Sequence, residues 1–188
     1  MNDPGNTPRR YFAEAIAVQP LGVNDIASVR RLQISSFLSL AAVDLTEAEA
    51  DAYQVDAVSD AYTVERYQAS QRGELLGAFH DGRLIGTVEW LRSAPSSTAA
   101  QIRGVFVDPL FAGCGVGSRL IQDVEHDVGR ARLTDIGICS TISAVGFFER
   151  VGFHVTSYGQ RALSPSQTLK VAFLRKDLIA SPPAFTHA

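Results

Sequence analysis

The sequence predicts a mixed α/β fold around one central sheet, and three observations carry that prediction. Apolar runs with strand and helix spacing follow the order β-α-α-β-β-β-α-β-α-β-β, which lays helices on both faces of a sheet. Asp81-Gly82 stands between two apolar stretches, 75–80 and 84–91, and such a pair favours the tight turn of an antiparallel hairpin. A helical stretch at 117–131 links strand-like runs at 99–107 and 133–140, and strands so connected pair in parallel through a right-handed crossover.

Taken in order, the chain opens and closes on polar stretches without periodicity, 1–10 and 180–188, which read as tails around a single domain at 11–179. Residues 13–18 read as a strand. Asn24 or Asp25 can cap a helix reaching about Leu40, with Ile26, Val29, Leu32 and Phe37 near helical spacing. Thr46-Glu47-Ala48-Glu49 is a capping box, in which Thr46 and Glu49 satisfy free amides at a helix start. The Ala-rich stretch after it reads as one helix to about Arg72, ended by Gly73. The hairpin follows, then a loop at 93–98 and the strand 99–107, stopped by Asp108-Pro109. In the helix at 117–131, Ile121, Val124 and Val128 share one face. A short helix at 143–151, closed by Gly152, precedes strands at 153–161 and 169–176.

Composition narrows the function. With 188 residues, 46% hydrophobic, the chain can bury a full core without disulfides. Lys plus Arg number 17 against 20 Asp plus Glu, a net charge of −3 that argues against a nucleic-acid binder. Cys114 and Cys139 are too few for a disulfide scaffold or a Cys-rich zinc module and read as reduced thiols. His80, His126, His154 and His187 lack metal-ligand spacing, so no metal is expected. No run approaches the ~18 apolar residues of a membrane span, and the start lacks the regions of a signal peptide. The expectation is a soluble cytoplasmic protein without membrane or nucleic-acid partners.

The chemistry concentrates in Val105-Phe-Val-Asp-Pro-Leu-Phe-Ala-Gly-Cys-Gly-Val-Gly-Ser118. Alternating glycines between a strand and a helix let successive N–H groups face one concavity, and the helix start adds positive potential, so phosphate or pyrophosphate is the natural guest. A nucleotide P-loop needs Gly-Lys-Ser/Thr, and no lysine precedes Ser118. The dinucleotide fingerprint needs a third glycine where Ser118 stands, and Asp108 to Ala112 separate the glycines from the strand.

The segment resembles the acyl-CoA loop of the GNAT acyltransferase superfamily, Gln/Arg-x-x-Gly-x-Gly/Ala after a strand of the type Val-x-Val-x-Pro. Gly115 and Gly117 take the glycine positions, Val105, Val107 and Pro109 match the strand and its exit, and Ala112 stands where Gln or Arg is usual. A second block, Ser140 to Phe153, resembles the superfamily's later signature through Phe147, Gly152 and Phe153. The resemblance implies a mostly antiparallel sheet whose two parallel strands splay. It implies acetyl-CoA as cosubstrate, its pantetheine arm in the splay against Val105, Phe106 and Val107. The pyrophosphate would lie on Ala112, Gly113, Cys114, Gly115, Val116, Gly117 and Ser118, and the thioester near Ser143, Phe147 and Phe148. An N–H near Phe106 or Val107 would polarise the acyl carbonyl.

Transfer to an amine benefits from a base and from an acid for the departing thiolate. Some members of the superfamily place a glutamate where this chain has Gln101, so Glu89, on the adjacent strand, is the candidate base, against the plainer reading of a solvent-facing strand carboxylate. The usual acidic tyrosine is replaced by Phe148, which leaves Tyr158, Ser140, Thr141 or water as the proton source. Cys139 reads as a core thiol in preference to an acyl carrier. The seven acids from Asp44 through Glu65 either draw a cationic acceptor or form a solvated helix face. The function expected is acetyl transfer to a small-molecule or peptide amine, with a CoA-binding sensor of the same fold as the alternative. Dimerisation is common in the superfamily, and the sequence speaks neither for nor against it.

Overall fold

The structure, a computed structural model, describes residues 15–42, 45–57 and 59–178; both expected tails lie outside them. Seven strands form one sheet: β1 (Ala17–Pro20), β2 (Leu75–His80), β3 (Arg83–Arg92), β4 (Ala99–Val107), β5 (Asp135–Thr141), β6 (His154–Ser164) and β7 (Gln167–Asp177). Their order is β1-β2-β3-β4-β5-β7-β6. Among the described residues, only β4 and β5 pair in parallel, and every other neighbour is antiparallel. The β2–β3 hairpin turns at Asp81 and Gly82, both at positive φ, as the dipeptide demands.

The helices are α1 (Ile26–Ser36), which continues as a π-helical turn over Phe37–Ala41, α2 (Glu47–Ala57), α3 (Asp60–Gln71), α4 (Val116–Arg130) and α5 (Val145–Arg150). Two boundaries correct the sequence reading. The opening strand is Ala17–Pro20 rather than 13–18, and Ala13 and Glu14 lie outside the described residues. The single helix expected up to Arg72 is two, α2 and α3. The break lets α2 pack on β6 and β7 while α3 packs on β2, contacts that one straight axis cannot make. The capping box is present: Thr46 N–H donates to Glu49 Oε2 at 2.8 Å, and Glu49 N–H donates to Thr46 Oγ1 at 3.3 Å. Those donors hold the Glu49 carboxyl below its ordinary range, the Thr46 amide first.

One face of the sheet buries Val116, Leu120, Ile121, Val124 and Val128 of α4 against Ile85, Ile102 and Ile136. The opposite face packs Val29 of α1 and Ala69 of α3 against Leu21 and Leu75. With a layer on each side, the sheet can open a gap only where two of its own strands part.

They part between β4 and β5. Parallel register runs from Ala99↔Asp135 to Ile102↔Ile138 and stops. Beyond it, β4 stays with β3 while β5 follows β7 through Cys139↔Phe173, Ser140↔Ala172 and Thr141↔Val171. The splay begins at a bulge: Glu89 faces Arg103 and Thr87 faces Phe106, so Gly104 and Val105 together oppose Val88. Gly104 sits at φ +60, where a side chain is strained, and the extra residue bends β4 away from β5.

Candidate active site

A cleft of ≈ 900 Å³ runs along this fork, from the glycine loop to the walls made by α1, α2 and α3. At one end lies the loop 112–118. Gly115, at φ +89, is the N-cap of α4, and the first bond of that helix is Arg119 N–H to Gly115 O at 3.0 Å. No backbone carbonyl among the described residues receives the N–H groups of Gly113, Gly115, Val116, Gly117 or Ser118. Unsatisfied amides at a helix N-terminus are what an anionic diphosphate binds. Gly117 serves packing as well, since a Cβ there would lie 3.0 Å from Phe147 Cζ.

The walls of the fork carry nearly every residue expected at the acyl-CoA position. Val105, Phe106, Val107, Ala112, Gly113, Gly115, Val116, Gly117, Ser118, Ser143, Phe147 and Phe148 all line the cleft. Cys114 is the exception: its amide folds back to Phe111 O at 3.2 Å and its thiol lies 3.9 Å from Ala112 O. Phe148 is buried edge-on between Phe147 and Phe153, at centroid distances of 4.9 and 5.7 Å. A dinucleotide site also needs an acidic residue about 20 positions downstream for the ribose; Asp135 has that spacing but sits at the start of β5, at the far end of α4 from the glycine loop, beside Arg175 at 3.5 Å.

The carbonyl-polarising amide needs correction. Val107 N–H donates to Ser36 Oγ at 3.1 Å. Asp108 N–H donates to Ile85 O at 2.9 Å, so the alternation of antiparallel pairs puts Thr87 and Phe106 next in the ladder. Val107 is therefore engaged and Phe106 stands opposite Thr87, while the ladder is interrupted at Gly104 and Val105, within the bulge beside the fork.

Both acid–base candidates stand outside the cleft lining. Glu89 is not the solvent-facing carboxylate of the plainer reading: its side chain is 3% exposed and ion-paired with Arg66, itself 5% exposed. Arg66 reaches the cleft; Glu89 lies behind it. Tyr158 is 68% exposed on β6, so it is no part of the fork. Of the alternatives, Ser140 and Thr141 do line the cleft. Ser140 Oγ donates to Thr141 O at 3.1 Å, and Thr141 Oγ1 lies 3.2 Å from Ser143 Oγ. Cys139 also faces the cleft, and burial pushes its thiol above the ordinary range, against a smaller opposing effect of Arg161. A thiol kept protonated is a poor acyl carrier.

The other end of the cleft was mostly missed. Phe37 and Tyr53 stack there at 3.4 Å, and Gln33 and Ser36 face it from α1. A signal existed: Gln33 and Ser36 follow Val29 by four and seven residues, so two polar side chains occupy the apolar stripe of a helix. Of the acidic run, Glu65 lines the cleft, whereas Glu47, Glu49 and Asp51 face solvent and Asp44 lies outside the described residues. The lining arginines are Arg66, Arg103, Arg150 and Arg161, so acidity does not dominate this wall.

Comparison with known proteins fixes the lineage of this architecture. A model of the acetyltransferase (GNAT) domain family matches residues 41–162, well over half of the chain. The chain belongs to the GNAT acetyltransferase family. Solved structures agree on the fold. A GCN5-related N-acetyltransferase from Rhodopseudomonas palustris superposes with a TM-score of 0.74 at 22% identity, covering 86% of this chain and 94% of that one. PaiA N-acetyltransferase from Thermoplasma acidophilum, solved with coenzyme A, gives 0.70 at 18%, covering 86% and 98%. The yncA protein from Salmonella typhimurium, solved with its cofactor acetyl-CoA, gives 0.64 at 17%, covering 90% and 98%. No curated protein matches the chain. No described helix is long and apolar enough to cross a membrane, and no described cluster of His, Cys, Asp or Glu suits a metal.

Proposed function

We propose that the protein is an N-acetyltransferase that moves the acetyl group of acetyl-CoA to a primary amine by direct attack, with both substrates bound at once. One observation carries the reading: the amides of Gly113, Gly115, Val116, Gly117 and Ser118, which no backbone carbonyl among the described residues receives, open into the same cleft as the β4–β5 fork. The amides take the diphosphate. The pantetheine arm follows the unpaired edges of β4 and β5, as an added strand would. The Val105 amide polarises the acetyl carbonyl, and the amine comes from the end walled by α1, α2 and α3. Two neighbours of this fold are solved with CoA or acetyl-CoA, which supports the same cosubstrate here.

The proton chemistry is supplied by water with the hydroxyls of Ser140 and Thr141 in the cleft, since neither Glu89 nor Tyr158 reaches it. Glu89 instead holds Arg66 in place. Calorimetry with acetyl-CoA followed by a thiol-release assay over primary amines tests this reading; absence of acetyl-CoA binding at sub-millimolar concentration refutes it. The second reading, a CoA-binding sensor without turnover, is favoured by Phe148 and by the withdrawal of Glu89 and Tyr158 from the cleft. It predicts tight acetyl-CoA binding with no amine-dependent release of free CoA.

A further inference from the structure

On α1, outside the segment matched by the family model, Gln33 is 1% exposed and lines the cleft. Its Oε1 has no hydrogen-bond partner, although it is buried. Its Nε2 lies 3.4 Å from where a Cβ on Gly104 would stand, so the carboxamide sits beside the bulge of β4. One turn on, Ser36 engages Val107 N–H of the same strand. The helix therefore offers β4 two buried polar groups at the cleft wall, one latched to Val107 and one whose oxygen has no partner. A buried carbonyl oxygen left without a donor is costly, and a ligand that brings an N–H removes that cost.

We propose that Gln33 Oε1 receives an N–H of the acceptor amine and thereby aims the amine lone pair at the thioester carbon beside the bulge. The proposal rests on the acetyltransferase reading above and names the residue that positions its second substrate. As the C–N bond forms, the carbonyl π pair moves to the thioester oxygen and the nitrogen becomes cationic. The N–H bond to Oε1 strengthens at that moment, so the interaction favours the transition state over the bound amine. Collapse restores the carbonyl and breaks the C–S bond. The electron pair leaves on sulfur, and the nitrogen's proton passes through water to the thiolate. Gln33 accepts a hydrogen bond throughout and takes no proton. Pantetheine also carries amide N–H groups, so the test must separate the two donors.

Gln33→Leu, with Gln33→Met as a second apolar replacement, is compared with the wild type in three measurements. The probes are acetyl-CoA alone and, as amines, spermidine, kanamycin, free L-amino acids and a lysine peptide. The expected result is an unchanged or higher melting temperature, an acetyl-CoA Kd within about twofold, and a kcat/KM for the best amine lowered about tenfold or more. Gln33→Glu, which keeps an accepting oxygen, recovers part of that loss. A fall of the melting temperature by more than about 5 °C in both apolar variants makes Gln33 a structural residue and overturns the proposal. Weakened acetyl-CoA binding assigns the oxygen to pantetheine and does the same. Unchanged amine kinetics in an active protein overturn the proposal alone. A wild type that binds acetyl-CoA but acetylates no amine removes the positioning role together with the transferase reading, leaving the sensor; one that binds no acetyl-CoA removes the whole functional assignment.

Discussion

The two ends of the cleft are built from different material. At the glycine loop, the groups that face the cleft are main-chain amides, held by the N-terminus of α4 and by two residues at positive φ, Gly113 and Gly115. At the far end the facing groups are side chains from three helices and a strand, among them Gln33, Phe37, Tyr53, Arg66 and Arg103. An amide cradle depends on backbone path and tolerates Ala112 or Cys114 as long as the turn survives. A side-chain wall depends on which residue stands at each position.

Glu89→Gln breaks the comparison hardest. It takes the buried carboxylate from the Arg66 guanidinium, and breaking a buried pair costs about 3–5 kcal/mol, which the exposed Glu65 carboxylate 3.6 Å away offsets only in part. Thermal unfolding should show a large drop in melting temperature, while any folded fraction keeps its acetyl-CoA affinity, because the pair serves the side-chain end. Ser118→Glu acts at the opposite end. A carboxylate in the first turn of α4 suits the helix but repels a diphosphate, so the melting temperature should hold while calorimetry shows acetyl-CoA binding weakened about 100-fold. An unchanged Kd removes the loop from the binding site.

Smaller effects sharpen the contrast. Ala112→Arg adds a side-chain contact to a cradle made of amides, and the acetyl-CoA Kd should tighten about three- to tenfold. Cys139 tests the join between the two ends. Burial raises its thiol, so the native state holds that proton more tightly than the unfolded chain. Any stability from this source is complete below the ordinary thiol range and is lost as pH rises through the raised value. Alkylation by iodoacetamide at pH 7.5 should be slower at Cys139 than in urea-unfolded protein, accelerate toward alkaline pH, and slow further with acetyl-CoA bound. A fast reaction at pH 7.5, indifferent to acetyl-CoA, shows that the thiol does not face the cleft.

Legibility followed the same division. The strand at 99–107 and the Asp81-Gly82 hairpin were readable because alternation and turn chemistry are local properties of the chain. The glycine loop was readable because what it presents to the cleft is backbone, and glycine spacing announces where backbone is bare. The break between α2 and α3 was not, since both halves have helical composition and only the surfaces they cover differ. Gln33 left a trace as a polar residue on an apolar stripe. The Arg66–Glu89 pair left none: residues 66 and 89 meet only because α3 packs on β2, next to β3 in the sheet.

Sequence alone therefore determined the order of the strands, the parallel pair with its crossover helix, the family and the place of the glycine loop, because each is written in short-range spacing that the backbone obeys. Tertiary structure decided where the strands separate, that the Val107 amide is taken by Ser36, and that Glu89 is buried against Arg66 instead of facing solvent. The physical reason is range: a side chain's partner is chosen by whatever element folds over it, and neighbours brought together across dozens of residues leave no period in the chain.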